Sequence, residues 1–290
     1  MESATAATGS AWARSGQADA DLERVEMQLL LEGIYQHYGY DFRGYALASL
    51  KRRLWRRAHA EGLTTLSALQ DRVLHDPAAM ERLLHDLSIN VTSMFRDPSF
   101  YSAFRDEVVP LLRTYPFIRI WNAGCSTGEE TFSLAILLME AGMMEKTRIY
   151  ATDINDRVID MARRGRFPLE RMRDYTANYL RAGGQEEFSR YYTVEGDQAS
   201  FSPELCSRVV FANHNLVSDG PFNEFNVIVC RNVMIYFGKA LQDRVHNLFY
   251  ESLETFGVLA LGHKESIRFT PYEQRFEELS SKERLYRKIR

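Results

Sequence analysis

The fold follows from residues 120–130, which are Ile-Trp-Asn-Ala-Gly-Cys-Ser-Thr-Gly-Glu-Glu. The apolar residues at their start predict a short strand over 117–121, and the stretch after them predicts a helix over 129–140. Gly124 and Gly128 lie between the two, where glycine permits a tight turn and lets the backbone approach a ligand closely. In open α/β sheets, ligands bind at such turns, beyond the carboxyl ends of the strands.

The alternation of strands and helices continues to the end of the chain. Further strands are predicted at 148–152, 208–211, 226–230 and 258–261, helices at 158–162 and 239–255, and a closing hairpin at 276–279 and 285–289. Strands that alternate with helices form a parallel sheet covered on both faces, so we predict a Rossmann-like α/β fold. The residues between Phe167 and Arg208 exceed what this alternation needs, and we expect a small antiparallel β insert over about 170–207.

The N-terminal part of the chain has a different pattern. Residues 21–90 contain no strand-like run, and their leucine stripes at helical spacing predict an all-helical domain. An inter-domain segment, 91–116, and the sheet domain, 117–290, follow it. Residues 1–20 are rich in Ala, Ser, Gly and Thr and lack the apolar stretch of a secretory signal, so we expect a disordered tail.

The composition is that of an ordinary globular protein, with 290 residues, 45% of them hydrophobic, and a net charge of −3. This charge argues against a strongly basic nucleic-acid coat. Three cysteines without regular spacing predict neither a disulfide framework nor a metal site, and the reducing cytoplasm is the expected location. The longest apolar stretch, 134–144, contains Glu140 and is too short to insert across a membrane.

Three interpretations of the glycine turn are open. The first is a tight turn without a ligand, which is common for so short a motif. The second is a nucleophile elbow, because the turn fits Gly-x-Ser-x-Gly; Ser126 would attack a substrate, with His263 as base and Asp219 as acid. The missing earlier strand and the two glutamates after the turn disfavour an oxyanion there.

The third interpretation is a nucleoside cofactor without phosphates. The predicted helix opens with Glu129 and Glu130, which suit a cationic ligand such as an amino group or a sulfonium. Asp153 ends the second predicted strand, where a carboxylate can accept both ribose hydroxyls. These features together indicate S-adenosyl-L-methionine, and the spacing alone also permits a nicotinamide cofactor.

Five blocks of sequence carry a resemblance to a known family. They are 90–98 (Asn-Val-Thr-Ser-Met-Phe-Arg-Asp-Pro), 120–130, 151–154 (Ala-Thr-Asp-Ile), 213–216 (Asn-His-Asn-Leu) and 230–237 (Cys-Arg-Asn-Val-Met-Ile-Tyr-Phe). In this order and spacing the chain resembles the chemotaxis receptor glutamate O-methyltransferases, the CheR family, over about residues 25–289. The resemblance implies an N-terminal helical domain, an S-adenosylmethionine-dependent methyltransferase sheet and a small β-subdomain. One departure is Thr131-Phe132, where the family often has Pro-Tyr.

The resemblance also implies roles for individual residues. The cofactor-binding residues would be Asn90, Thr92, Arg96, Gly124, Glu129, Asp153, Asn215, Leu216, Arg231 and Asn232. Asp153 would bind the ribose, whereas Asn215 and Leu216 would surround the adenine. Arg231 and Asn232 would lie beside the methionine end. The catalytic residues would be Arg96 and Tyr236, near the transferred methyl.

The implied reaction is transfer of the sulfonium methyl to a glutamate side chain. A glutamate with a pKa near ~4.3 is ionised at neutral pH, so no catalytic base is required. Catalysis would then consist of positioning an in-line attack in a site that excludes water. The alternative is a non-catalytic S-adenosylmethionine-binding regulatory or scaffold protein in a chemosensory-like pathway, against which the quoted site residues argue.

A basic run between residues 42 and 60 is the expected docking surface. It contains Arg43, Lys51, Arg52, Arg53, Arg56 and Arg57 and no acidic residue. The resemblance implies an acidic partner, the cytoplasmic helical bundle of a methyl-accepting chemotaxis receptor, with nucleic acid as a weaker alternative. The turn at Gly196-Asp197 lacks the Gly-rich loop expected of family members that grip a receptor tether. We therefore predict binding that does not depend on a C-terminal pentapeptide of the receptor.

Overall fold

The computed structural model describes residues 9–88 and 92–289, with side chains from residue 19 onward. The chain divides into two compact units between Ile89 and Asn90. The first unit is helical, and the second contains a large sheet, a small sheet and helices. The predicted fold class is confirmed: an α/β sheet with an N-terminal all-helical domain and a small antiparallel insert.

The described part of the first unit consists of α1 (Gly9–Tyr38), α2 (Leu47–Ala60), α3 (Leu66–His75) and α4 (Pro77–Leu87). Apolar residues at helical spacing form one buried core between these helices. Two side chains cap helix starts: Thr65 Oγ1 accepts from Ala68 N at 3.1 Å, and Asp76 Oδ1 accepts from Ala78 N at 2.9 Å. Each cap satisfies a backbone donor that has no partner inside its helix.

Helix α1 begins within the stretch for which the sequence predicts a disordered tail. It includes residues 9–20, and residues 1–8 lie outside the described part of the chain. Alanine has the highest helix propensity of the amino acids, so the alanines of this stretch favour a helix although few of its residues are apolar.

Most of the predicted docking residues have acidic partners in the first unit. The ion pairs and their N–O distances are Arg43–Asp41 (2.8 Å), Lys51–Glu23 (2.6 Å), Arg56–Asp86 (3.1 Å) and Arg57–Asp86 (2.5 Å). These carboxylates come from α1, from α4 and from the chain just before the basic run. The surface is therefore less cationic than the run of basic residues indicates.

Arg53 is not part of this surface, and its assignment as a docking residue is wrong. The residue is 3% exposed. Its guanidinium donates to Leu87 O at 2.5 Å and to Ser49 Oγ at 2.8 Å. Leu87 ends α4, so Arg53 satisfies a carbonyl that the helix leaves without a partner. A pattern within α2 could not reveal the contact with Leu87 O, because that acceptor lies on another helix.

The second unit contains the strands β1 (Ile118–Ala123), β2 (Thr147–Asp153), β3 (Arg166–Pro168), β4 (Tyr192–Glu195), β5 (Gln198–Phe201), β6 (Val209–Asn213), β7 (Phe225–Cys230), β8 (Leu253–Leu261), β9 (Phe276–Ser280) and β10 (Leu285–Lys288). The large sheet has the order β6-β2-β1-β7-β8-β10-β9. Its first five strands are parallel, and β10 and β9 are antiparallel to their neighbours. The strand β7 is buried along its whole length, as expected of a strand covered on both faces.

The helices of this unit are α5 (Pro98–Ala103), α6 (Val109–Leu112), α7 (Glu129–Glu140), α8 (Asp156–Arg164), α9 (Met172–Arg181), α10 (Pro203–Ser207) and α11 (Lys239–Ser252). Helix α7 has the bounds that the sequence predicts. Thr131, at the position of the family departure, donates from Oγ1 to Asn122 Oδ1 at 2.6 Å and so joins α7 to β1.

The insert is a separate antiparallel sheet with the order β3-β5-β4. It begins at Arg166, slightly before the predicted boundary. Phe132 of α7 packs against Phe167 and Phe201, with ring centroids 5.6 and 5.4 Å apart. These edge and tilted contacts between large aromatic side chains attach the insert to the main sheet domain.

Two features are absent from residues 9–88 and 92–289. No helix there is long and apolar enough to cross a membrane. No group of three or more His, Cys, Asp or Glu side chains in these ranges is arranged to hold a metal ion.

Candidate active site

Several of the predicted site residues lie at one edge of the large sheet. The parallel strands β6, β2, β1 and β7 all present their carboxyl ends at this edge. Gly124 follows β1, Asp153 ends β2, Asn215 follows β6 and Arg231 follows β7. The parallel topology therefore brings together residues that are far apart in the sequence, at the edge where such sheets bind ligands.

The glycine turn after β1 is tightly held. Gly124 N and Cys125 N both donate to Thr152 O, at 2.8 and 2.9 Å. Gly124 has a φ of +78°, which glycine adopts without strain. A Cβ at this position would lie 2.4 Å from Val233 Cγ2, so a side chain does not fit. Gly124 thus allows the loop after β7 to pack on the turn, and its contact with a cofactor stays a prediction.

Asp153 is a buried carboxylate beside this turn, with 8% of its surface exposed. Its Oδ2 accepts from Ser126 N at 2.9 Å, and its Oδ1 accepts from Asn155 N at 3.1 Å. Burial raises the pKa of Asp153 above its usual range, and the backbone donors oppose that rise. Because each carboxylate oxygen can accept more than one hydrogen bond, Asp153 can still accept two adjacent hydroxyls.

Ser126 has a buried hydroxyl without a protein partner. Its Oγ makes no hydrogen bond to any described residue. It is therefore not paired with His263, whose Nδ1 lies 3.2 Å from Lys282 O. A buried hydroxyl is usually hydrogen-bonded, so Ser126 Oγ is better explained by a polar ligand than by a nucleophile elbow.

Helix α7 begins with two glutamates that have different partners. Glu129 is 3% exposed, and burial raises its pKa. Its carboxylate accepts from Thr127 Oγ1 at 2.6 Å and from Tyr175 OH at 3.2 Å. Glu130 instead accepts from Asn122 Nδ2 at 2.9 Å. Glu129 therefore supplies negative charge next to the glycine turn, whereas Glu130 connects α7 to the sheet.

Arg231 is a buried connector, with a side chain that is 1% exposed. It donates to Glu130 Oε2 at 2.7 Å and to Asp97 Oδ2 at 2.8 Å. It also donates to Arg96 O at 3.2 Å, and its guanidinium lies 4.0 Å from the ring centroid of Phe100. These contacts position the segment that carries Arg96. The hydrogen bonds of the Arg231 guanidinium therefore go to protein groups, whereas the sequence predicts contact with the methionine end of the cofactor.

Glu265 organises the loop after β7, although no sequence motif marks it as a site residue. This carboxylate is 5% exposed. It accepts four backbone N–H groups, from Asn232 (2.9 Å), Val233 (2.9 Å), Met234 (2.7 Å) and Gly262 (2.7 Å). The only signal in the sequence is an acidic residue soon after the predicted strand over 258–261, at the edge where ligands bind. We name this arrangement the Glu265 clamp.

Strained backbone is concentrated around the same edge. Phe95, Asp97, Ser126 and Asn232 have φ values of +49°, +56°, +51° and +61°, although none of them is glycine. Each such residue costs of order 1–3 kcal/mol and persists only where its surroundings hold it. Here the clamp holds Asn232, and Asp153 and Arg231 hold Ser126 and Asp97.

Of the remaining predicted residues, Arg96, Asn232 and Tyr236 belong to segments that are hydrogen-bonded to this edge. Thr92, Arg96, Asn232 and Tyr236 are half-buried, whereas Asn215 and Leu216 are buried. Asn90 lies outside the described residues. Asn215 Oδ1 accepts from Val217 N at 2.9 Å, so this side chain also shapes its own turn. The contacts of these residues with a cofactor stay predictions.

Two family descriptions match adjacent parts of the chain. Residues 90–285 match the CheR methyltransferase, SAM binding domain, and residues 25–88 match the CheR methyltransferase, all-alpha domain. The chain belongs to the CheR methyltransferase family. The resemblance inferred from the five sequence blocks is confirmed, and the serine hydrolase interpretation is wrong.

Relatives in this family match most of the chain. This chain is 50% identical over 264 residues to a Pseudomonas putida protein named as methyltransferase Cher3. The match covers 91% of this chain and 97% of the relative. The chain is 31% identical to the chemotaxis protein methyltransferase of Salmonella typhimurium, covering 87% of this chain and 86% of the relative. It is 30% identical to the Escherichia coli chemotaxis protein methyltransferase, covering 91% and 89%.

The cofactor of this CheR-family chain is S-adenosyl-L-methionine, as the sequence predicts. The residues at the sheet edge fit this molecule. Asp153 and the unpartnered hydroxyl of Ser126 are adjacent, buried and suited to a polar ribose. The buried carboxylate of Glu129 suits the cationic end of the cofactor, where a phosphate would be repelled.

Proposed function

We propose that this CheR-family chain methylates glutamate side chains of bacterial chemoreceptors in the cytoplasm, forming glutamate methyl esters for chemotaxis adaptation. The observation that carries the proposal is that the carboxylates of the site are already hydrogen-bonded within the protein. Asp153, Glu129, Glu130 and Glu265 all accept protein hydrogen bonds. Ser126 Oγ makes no hydrogen bond to a carboxylate or histidine among the described residues. A substrate with its own ionised nucleophile, such as glutamate, matches this site, and relatives named chemotaxis protein methyltransferases support a receptor substrate.

The reaction depends on how the reacting groups are positioned and less on proton transfer. When bound, S-adenosyl-L-methionine supplies an electrophilic methyl carbon on a cationic sulfur. That methyl would pass to an ionised oxygen of the substrate's carboxylate, with the thioether as leaving group and without proton transfer. Arg96 and Tyr236 orient that carboxylate, and the surrounding loops exclude water. Opposite charges cancel in this transition state, so a site of low polarity favours the reaction.

Replacing Arg96 by alanine is expected to lower turnover about 100-fold at saturating receptor, because a misplaced reacting group costs this much. The backbone carbonyl of Arg96 remains, so the bond from Arg231 survives. The measurement is transfer of labelled methyl to a receptor cytoplasmic fragment. Arg113→Ala, at an exposed position in the same unit, is the matched control.

Two results would contradict these assignments. Near-normal turnover of Arg96→Ala would show that this side chain does not position the substrate. A wild-type protein that binds S-adenosylhomocysteine but transfers no methyl to the receptor fragment would favour the regulatory or scaffold alternative.

The exposed basic residues of α2 are the proposed docking surface for the acidic receptor bundle. Arg52 is exposed. Arg52→Glu is expected to raise the KM for the receptor about threefold to tenfold at low salt, and less at high salt because ions screen exposed charges. Arg72→Glu, an exposed position on α3, is the control.

Deleting the C-terminal pentapeptide of the receptor should leave the KM for the receptor unchanged. A large rise in KM, or a tight complex with the free pentapeptide by calorimetry, would contradict tether independence.

A further inference from the structure

Phe269 is the most exposed large hydrophobic side chain among the described residues, with 91% of its surface exposed. Its φ of +61° is also unfavourable for a bulky residue. Phe269 therefore contributes almost no apolar burial to the fold while its backbone is strained. Strain of this kind is concentrated at functional sites, where surrounding contacts maintain it.

The segment that carries Phe269 is held firmly. We name residues 262–270 the Phe269 loop. Phe269 N donates to Glu273 Oε2 at 2.8 Å, and Lys239 Nζ donates to Phe269 O at 3.3 Å. Ile267 is 3% exposed and anchors the loop, and Thr270 Oγ1 donates to Ile267 O at 2.5 Å. The exposed ring is therefore presented by a fixed backbone.

The Phe269 loop belongs to the edge of the sheet that carries the site. It follows the carboxyl end of β8, and its first residues include the Glu265 clamp, which holds the loop after β7. Lys239, which binds the carbonyl of Phe269, begins α11 three residues after Tyr236. The loop is thus connected on both sides to the segment that carries a proposed catalytic residue.

The charge of this loop suits an acidic partner. Its exposed ionisable side chains are His263, Lys264 and Arg268, whereas Glu265 is buried. Arg268 forms an ion pair with Glu278 at 3.1 Å, and the exposed Glu273, just after the loop, accepts from Phe269 N. An exposed aromatic ring with two basic side chains in the same loop, Lys264 and Arg268, matches a helix that presents apolar side chains between carboxylates.

We propose that the Phe269 loop is a docking surface for the substrate helix that carries the methyl-accepting glutamate, with the ring of Phe269 packing between side chains of that helix. This inference rests on the proposed function. The basic surface of α2 lies in the other unit, so Phe269 is a second, independent contact with the same class of partner.

The test compares two phenylalanines. Phe269→Ala is expected to raise the KM for a receptor cytoplasmic fragment at least about tenfold, because the ring loses its apolar burial in the complex. Its affinity for S-adenosylhomocysteine and its unfolding temperature should equal those of the wild type. Phe256→Ala is the matched control: Phe256 is 50% exposed with a φ of +69°, but it lies near the amino end of β8, roughly 16 Å from the carboxyl end at ~3.3 Å per residue.

The possible results distinguish a failure of the proposed docking surface from a failure of the proposed function. An unchanged KM for Phe269→Ala, or an equal rise for Phe256→Ala, would overturn the docking surface while methylation by the wild type still supported the proposed function. A parallel loss of S-adenosylhomocysteine affinity in Phe269→Ala would also overturn it. Absence of receptor methylation by the wild type would refute the proposed function itself, and the docking surface with it.

Discussion

Replacing Asp153 by alanine is expected to weaken S-adenosylhomocysteine binding at least about 100-fold. The two ribose hydroxyls would lose the carboxylate that accepts their hydrogen bonds. Hydrogen bonds to a charged group contribute about 1.5–3 kcal/mol each, and 1.4 kcal/mol corresponds to a factor of ten in affinity. The backbone N–H groups of Ser126 and Asn155 would also lose their acceptor, which loosens the glycine turn. Isothermal titration calorimetry measures the effect directly.

The pH dependence of binding gives an independent check on Asp153. Its pKa is raised by burial, so the carboxylate becomes protonated at a higher pH than an ordinary aspartate. Affinity should therefore fall as the pH is lowered through this raised pKa, and the fall should be smaller in Asp153→Ala, where Glu129, whose pKa burial also raises, still titrates. Asp160→Ala, at an exposed carboxylate on α8, is the control. Unchanged affinity in a folded Asp153→Ala protein would exclude the ribose contact.

Replacing Glu265 by glutamine is expected to lower kcat/KM about 100-fold and also to lower the unfolding temperature. Two N–H groups bind each carboxylate oxygen: Val233 and Met234 bind Oε1, and Asn232 and Gly262 bind Oε2. Glutamine replaces one oxygen by a donor, so two buried N–H groups lose their acceptor at a cost of roughly 1–3 kcal/mol each. The loop that carries Asn232 and Tyr236 would shift, and small misplacements strongly reduce turnover.

Glu283 provides the matched control for the Glu265 clamp. It is also buried, with 4% of its surface exposed. Neither of its carboxylate oxygens makes a hydrogen bond to a described residue. Glu283→Gln should leave kcat/KM nearly unchanged, because its carboxylate accepts no hydrogen bond from the loop after β7 and its nearest cationic neighbours, His263 Nε2 and Lys282 Nζ, lie 3.6 and 3.9 Å away. If both variants lost activity equally, the effect would reflect burial of a glutamate in general, and the clamp would not be its cause.

Local patterns were sufficient to predict several elements of this fold. The bounds of α7 agree with the prediction because glycines precede it and an apolar pattern continues to Glu140. The placement of Asp153 at a strand end follows from the β-branched run before it and from the alternation of elements. These features depend on residues close in sequence, so periodicity and turn chemistry can detect them.

The same reasoning failed where a partner lies far along the chain. Within α2 alone Arg53 belongs to a basic face, but Leu87 O, on another helix, accepts from its guanidinium and holds it in the interior. Glu265 resembles any other loop glutamate in sequence, yet four N–H groups from two loops converge on it. Local spacing carries no information about such acceptors.

The sequence by itself determined the class of the protein: a CheR-family methyltransferase sheet with a glycine turn, an acidic helix start and a carboxylate for a nucleoside cofactor. Only the tertiary structure decided how the site is held. Arg231 joins Glu130 to Asp97, the Glu265 clamp fixes the loop after β7, and Phe269 is left exposed on the same edge. The physical reason is that a motif specifies backbone conformation and charge locally, whereas burial and hydrogen-bond partners depend on which strands the topology makes neighbours.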